Sequence, residues 1–174
     1  MREEVTALLE NRNELLTITY FKIQELFDKK YGENALVLME IGTFFEVYEV
    51  NNEKEKIGKA KEIAELLNIQ LTRKNKSILE NSKENPIMAG VPAISFEKHL
   101  ARIIAEQKYT IAIIRQKGTP PNVSRYLDVI VSPGTNFDFV VEQDDNFITS
   151  IVIDQIRGNY LIGYSAIDVT TAKC

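Results

Sequence analysis

Ala35-Leu36-Val37-Leu38-Met39-Glu40-Ile41-Gly42-Thr43-Phe44-Phe45-Glu46-Val47-Tyr48-Glu49-Val50 opens as an apolar run of strand length and β-rich composition. Gly42 interrupts it, which suits a bulge, a sharp bend or a close backbone approach. In an extended chain, residues two apart point to the same side. Phe44 and Glu46 therefore project together, and Phe45 points away towards a core. An aromatic ring beside a carboxylate, next to a backbone bend, can read a flat ligand with polar edges. The same residues also fit a plain core strand, with both phenylalanines buried and Glu46 as the solvated alternate. Both readings stand at this point.

The 174 residues are 44% apolar and 26% charged, which suits one globular domain or one domain with a piece of another. No apolar run is long enough to span a bilayer and no signal-peptide pattern occurs, so a cytosolic setting without a membrane partner is expected. A single cysteine, Cys174, excludes an internal disulfide and a cysteine-cluster metal site. A single histidine, His99, argues against a His-based metal site or a Ser-His-Asp triad within the chain. No cofactor and no metal is expected here, and the absence of a phosphate-binding glycine loop argues against ATP hydrolysis.

Net charge is −4, but it is unevenly spread. Residues 1–69 carry nine Lys/Arg against fourteen Asp/Glu, residues 70–126 ten against four, and residues 127–174 two against seven. A basic middle third in an acidic chain is the footprint to look for in a nucleic-acid binder. Chance clustering of surface lysines gives the same numbers, because local patches matter more than sums.

Residues 1–31 read as helix with a break near Arg12-Asn13, Thr17 or Thr19 as an N-cap, and Gly32 as the stop after Lys29-Lys30. Residues 53–67 carry a helical apolar face, Asn68 stands where that helix should stop, and residues 69–72 form a short strand. Residues 73–87 read as a long polar loop. Ile87 to Pro92, bounded by two prolines with Gly90 inside, reads as a rigid turn rather than a central strand. Ser95 caps a predicted helix to Gln107, with Phe96, Leu100, Ile103 and Ile104 inward and His99 structural or solvated. Strands follow at 109–116 and 127–131. An acidic stretch at 136–146 precedes a hairpin, 147–156 and 160–170, around Arg157-Gly158-Asn159. An isolated hairpin is barely stable, so the chain is expected to be a truncated piece of a longer protein.

The ordered set of motifs resembles the N-terminal mismatch-binding domain of the MutS family of DNA mismatch repair proteins. Leu38 to Val47 resembles the family's strand, glycine and Phe-x-Glu motif, and Leu66 to Lys74 its helix end, short strand and basic loop. Pro86-Ile87-Met88-Ala89-Gly90-Val91-Pro92 resembles its Pro-Met-Ala-Gly-Ile/Val-Pro turn, and Val129 to Thr135 its strand and Thr-Pro-Gly-Thr turn. The hairpin is similar to the opening of the family's connector domain. Thr43 replaces the usual Asp, residues 75–85 run longer, and Ala93-Ile94-Ser95 lacks the frequent Tyr-His, which suggests a divergent branch.

The resemblance implies an α/β (α+β-like) fold with a mixed β-sheet flanked by helices. It implies an N-terminal helical segment at 1–31, a mismatch-recognition domain at 32–140, and the start of a connector domain at 141–174. It gives Phe44 the role of a stacking wedge and Glu46 that of a base hydrogen-bonder, with Met88 near the groove and Arg73, Lys74 and Lys76 on phosphates. The partner implied is double-stranded DNA with mismatches or small loops. The parent protein is expected to be a homodimeric ATPase using ATP and magnesium outside this chain, with downstream repair proteins. A cytoplasmic, nucleoid-associated setting is implied, or an organellar one for an organellar lineage. Two alternatives remain: a metal-dependent nuclease using Asp154 and Asp168, and a structural or protein-binding domain with Phe44 buried.

Overall fold

The first unit of the chain is built on one mixed sheet. In the computed structural model, which describes residues 1–133 and 147–168, Met1–Val131 form one compact unit and Ser132–Cys174 a second. The expected boundary near residue 140 lies outside the described residues.

Helices α1 (Arg2–Glu10) and α2 (Leu16–Tyr31) separate near Arg12-Asn13. Neither Thr17 nor Thr19 caps α2. Leu15 holds the cap position without a side-chain bond, and both threonines are buried within the helix. The Thr19 hydroxyl donates back to the Leu15 carbonyl instead.

The quoted run is two strands, β1 (Ala35–Ile41) and β2 (Phe44–Asn51), paired antiparallel. Gly42, at φ +63°, makes the turn between them, which is the sharp bend among the readings its position allowed. Strand β3 (Lys56–Gly58) then pairs with β2 and replaces the first turns of the expected helix, so α3 runs only from Ala60 to Leu67. The helix starts where β2 supplies its cap: the buried Glu49 carboxylate accepts from the Lys61 backbone N–H at 2.8 Å. Asn68, in the left-handed conformation, ends it.

Strand β4 is shorter and later than predicted, Thr72–Arg73. Ile87–Pro92 is the clearest departure from expectation. It is strand β5, paired along its length with β2 and briefly with β4. Its prolines do not oppose this, because Pro86 precedes the strand and Pro92 ends it. Ser95 precedes α4 (Phe96–Ala105), but its hydroxyl donates to the Pro92 carbonyl rather than capping. Strands β6 (Thr110–Lys117) and β7 (Ser124–Val131) complete the order β4-β5-β2-β1-β6-β7. Among the described strands only β1 and β6 run parallel.

Alternation along the strands sorts the side chains onto two faces. Val37, Met39, Tyr48, Ala112 and Ile114 pack with Tyr20, Phe21 and Phe27 of α2. On the other face Phe45 stacks on Phe96 of α4, ring centroids 3.6 Å apart. In the second unit, β8 (Phe147–Ile156) and β9 (Asn159–Asp168) form a regular antiparallel hairpin.

Candidate nucleic-acid interface

Helix α2 covers the middle of its sheet face but not the end at the β1–β2 turn. There Phe45 is 1% exposed and Phe44 is 44% exposed, so the two phenylalanines divide between core and surface. The turn is braced from two sides. The Gln116 side-chain amide donates to the Gly42 carbonyl at 2.7 Å and accepts from the Gly42 N–H at 3.0 Å. Just after β5, the Ala93 N–H donates to the Thr43 carbonyl at 2.8 Å. Phe44 thus stands on a fixed hairpin end.

Glu46 lies on the same face. The opposite residue on β5 is Gly90, where a Cβ would come 3.4 Å from Glu46 Cγ and 3.8 Å from Phe44 Cδ1. The glycine leaves the floor between ring and carboxylate open. Glu46 Oε2 accepts from the Tyr48 hydroxyl and pairs with Lys74 Nζ at 3.5 Å. Lys74 Nζ also donates to Tyr48 Oη at 3.1 Å. Burial, then the neighbouring carboxylate, drives the Tyr48 phenol well above the ordinary range, so it stays a donor. Arg125, on β7, interacts electrostatically with both Tyr48 and Glu46, and burial holds its guanidinium below the usual range.

The other expected residues are distributed differently. Met88 is half-buried, opposite Tyr48, with its side chain against the α2 core. Arg73 Nη1 donates to the Leu79 carbonyl, within its own loop. Lys76 is exposed and, among the described residues, makes no hydrogen bond or ion pair.

The basic island is largely consumed inside the fold. Lys83 pairs with Glu25 and Glu55, Lys108 with Glu62, and Arg115 with Asp128 and Glu97. Arg102 donates to the Leu66 and Leu67 carbonyls, and Arg125 to that of Glu40. Loop 74–86 is ordered by Asn85, whose side chain is bonded to the backbone of Asn75, Ile78 and Glu80.

The nuclease constellation does not assemble. Asp168 lies opposite Phe147 and Asp154 opposite Leu161, which sets the two carboxylates about 23 Å apart along the strands. Among the described residues no group of three His, Cys, Asp or Glu side chains could hold a metal. His99 lies on α4 with its Nδ1 buried and unpartnered among the described residues, and burial holds its pKa down.

Residues 20–140 match the family described as MutS domain I. The chain belongs to that family. A putative DNA mismatch repair protein mutS homologue of Acanthamoeba polyphaga mimivirus is 30% identical over 93% of this chain. DNA mismatch repair proteins MutS of Fusobacterium nucleatum and Chlorobium phaeobacteroides are 28% and 30% identical over 88% and 86% of it. The chain spans only 15–16% of the length of these relatives.

In this MutS domain I the sequence reading missed Tyr48, Gln116 and Arg125. Tyr48 had a signal, since it follows Phe44 and Glu46 at the same alternation and therefore shares their face. Gln116 and Arg125 had none, because they arrive from β6 and β7 only through the strand order.

Proposed function

We propose that this chain is the duplex-reading domain of a longer DNA mismatch repair protein, and that it recognises mismatched or otherwise distorted double-stranded DNA. Phe44 is the wedge and Glu46 the acceptor for a base. The observation that carries this reading is the exposed Phe44 ring on a braced turn, beside Glu46, over the gap at Gly90. A buried Phe44 would have favoured the structural alternative. Inserting an apolar wedge at a base step costs a few kcal/mol, and the cost falls where a mismatch already weakens stacking. The site therefore discriminates by deformability first and by hydrogen bonding second. Lys76 and the unused donors of Arg73 supply phosphate contacts, which position without specifying. Met88, opposite Tyr48, lies on the groove side of the sheet near the reading head. The parent protein carries ATP hydrolysis with magnesium elsewhere, works as a homodimer and engages downstream repair proteins.

The test is fluorescence anisotropy on the parent protein at fixed salt, comparing a duplex with one G·T mismatch or one unpaired T with its matched control. Wild type should prefer the heteroduplex, and Phe44→Ala should lose that preference. An unchanged affinity ratio in the variant would refute the wedge.

A further inference from the structure

The family resemblance implies that Lys74 holds a phosphate, yet its ammonium is turned onto Glu46 and Tyr48. We propose that Tyr48 and Lys74 are positioning residues for the Glu46 carboxylate, and that Lys74 sets mismatch discrimination instead of clamping the DNA backbone. This rests on the reading-head assignment above and deepens it.

The geometry has three parts. Tyr48 is a rigid post. Its ring is fully buried and packs edge-on against Tyr20 at 4.8 Å, and the Tyr20 hydroxyl is itself bonded to the Val37 carbonyl at 2.9 Å. From that post the phenol donates to one carboxylate oxygen only, Oε2. Lys74 closes the triangle on Oε2 and Oη, and its own backbone N–H is fixed to the Pro86 carbonyl at 3.1 Å. Among the described residues Glu46 Oε1 accepts no hydrogen bond, so one oxygen is occupied and the other is offered. A carboxylate so fixed loses little rotamer freedom when a base donor arrives, which is where preorganisation adds to selectivity. Held by two donors, it presents an acceptor to the duplex and favours an unpaired base edge carrying an N–H.

The experiment compares wild type, Tyr48→Phe, Lys74→Met, Lys74→Arg, Glu46→Gln and Phe44→Ala in the parent protein. It measures the heteroduplex-to-matched affinity ratio and the slope of log affinity against log salt. The expected result is that Tyr48→Phe and Lys74→Met each lower the ratio by about three- to tenfold, the scale of one ordinary net hydrogen bond. Lys74→Arg keeps most of the ratio, and Lys74→Met leaves the salt slope of wild type. Tyr48→Phe adds little in a Glu46→Gln background, because the two act as a unit. A phosphate role for Lys74 gives the opposite pattern, a slope shallower by about 0.9 with the ratio intact, and overturns the proposal. If Phe44→Ala loses the preference while Tyr48→Phe and Lys74→Met keep it, the positioning roles alone fail. If Phe44→Ala keeps the preference, the reading head fails and the positioning roles fall with it.

Discussion

Gly58 sits at φ +85°, and a Cβ there would stand 2.0 Å from the Tyr48 carbonyl oxygen. Two requirements coincide at this residue: a left-handed backbone and the close approach of β3 to β2. Within the helix expected over residues 53–67, a glycine would be only mildly unfavourable. In the structure it lets the chain turn from β3 into α3 while pressing on the backbone of the residue that orients Glu46. Gly58→Ala is expected to destabilise the unit by at least about 2 kcal/mol, from the disfavoured φ and the clash with main chain together. The urea midpoint of the variant checks this, and an unshifted midpoint would mean that β3 can move away from β2 freely.

At the scale of elements, loop 74–86 is the informative case. Its composition is that of a solvated loop, but Asn85 is only 4% exposed and bonds backbone groups from three points of the loop. The loop therefore behaves as a folded attachment of β4 and β5, and it delivers Lys74 to Glu46. Asn85→Ala would leave the Asn75 N–H and several carbonyls without their partner, at a cost of about 1–3 kcal/mol. Limited proteolysis should then cut within residues 75–85 faster than in wild type. Equal cleavage rates would show that the loop is held by other contacts. The basic island belongs to this scale too. Its cations mostly join neighbouring elements, as Lys83 does with Glu25 of α2 and Glu55 before β3.

For the molecule as a whole, the buried phenols tie stability to pH. Tyr20 and Tyr48 are both displaced upward from the ordinary phenol value of 10.0, chiefly by burial and, for Tyr48, by the Glu46 carboxylate as well. The folded chain keeps these protons to higher pH than the unfolded chain does. Above about pH 10 the unfolded state therefore binds fewer protons, and stability falls as pH rises. Alkaline unfolding should show tyrosinate absorbance rising together with the loss of circular dichroism, and Tyr20→Phe should move that transition to higher pH. Ionisation of all seven tyrosines with the dichroism intact would contradict the burial of these two rings.

The sequence by itself determined what depends on neighbours a few residues away. Strand alternation put Phe44 and Phe45 on opposite faces, helical spacing buried Phe96, Leu100, Ile103 and Ile104, and Arg157-Gly158-Asn159 marked the second hairpin, whereas the exposure of Phe44 came from where α2 ends over the sheet. These signals are local because strand and helix periods are properties of the backbone. The tertiary structure alone decided that Ile87–Pro92 is a strand, because β2 offers it an edge to pair with. It alone gave Lys74 its partner, 28 residues distant in sequence, and capped α3 with Glu49. A charged side chain reaches whichever group the strand order brings near, and no period in the sequence encodes that order.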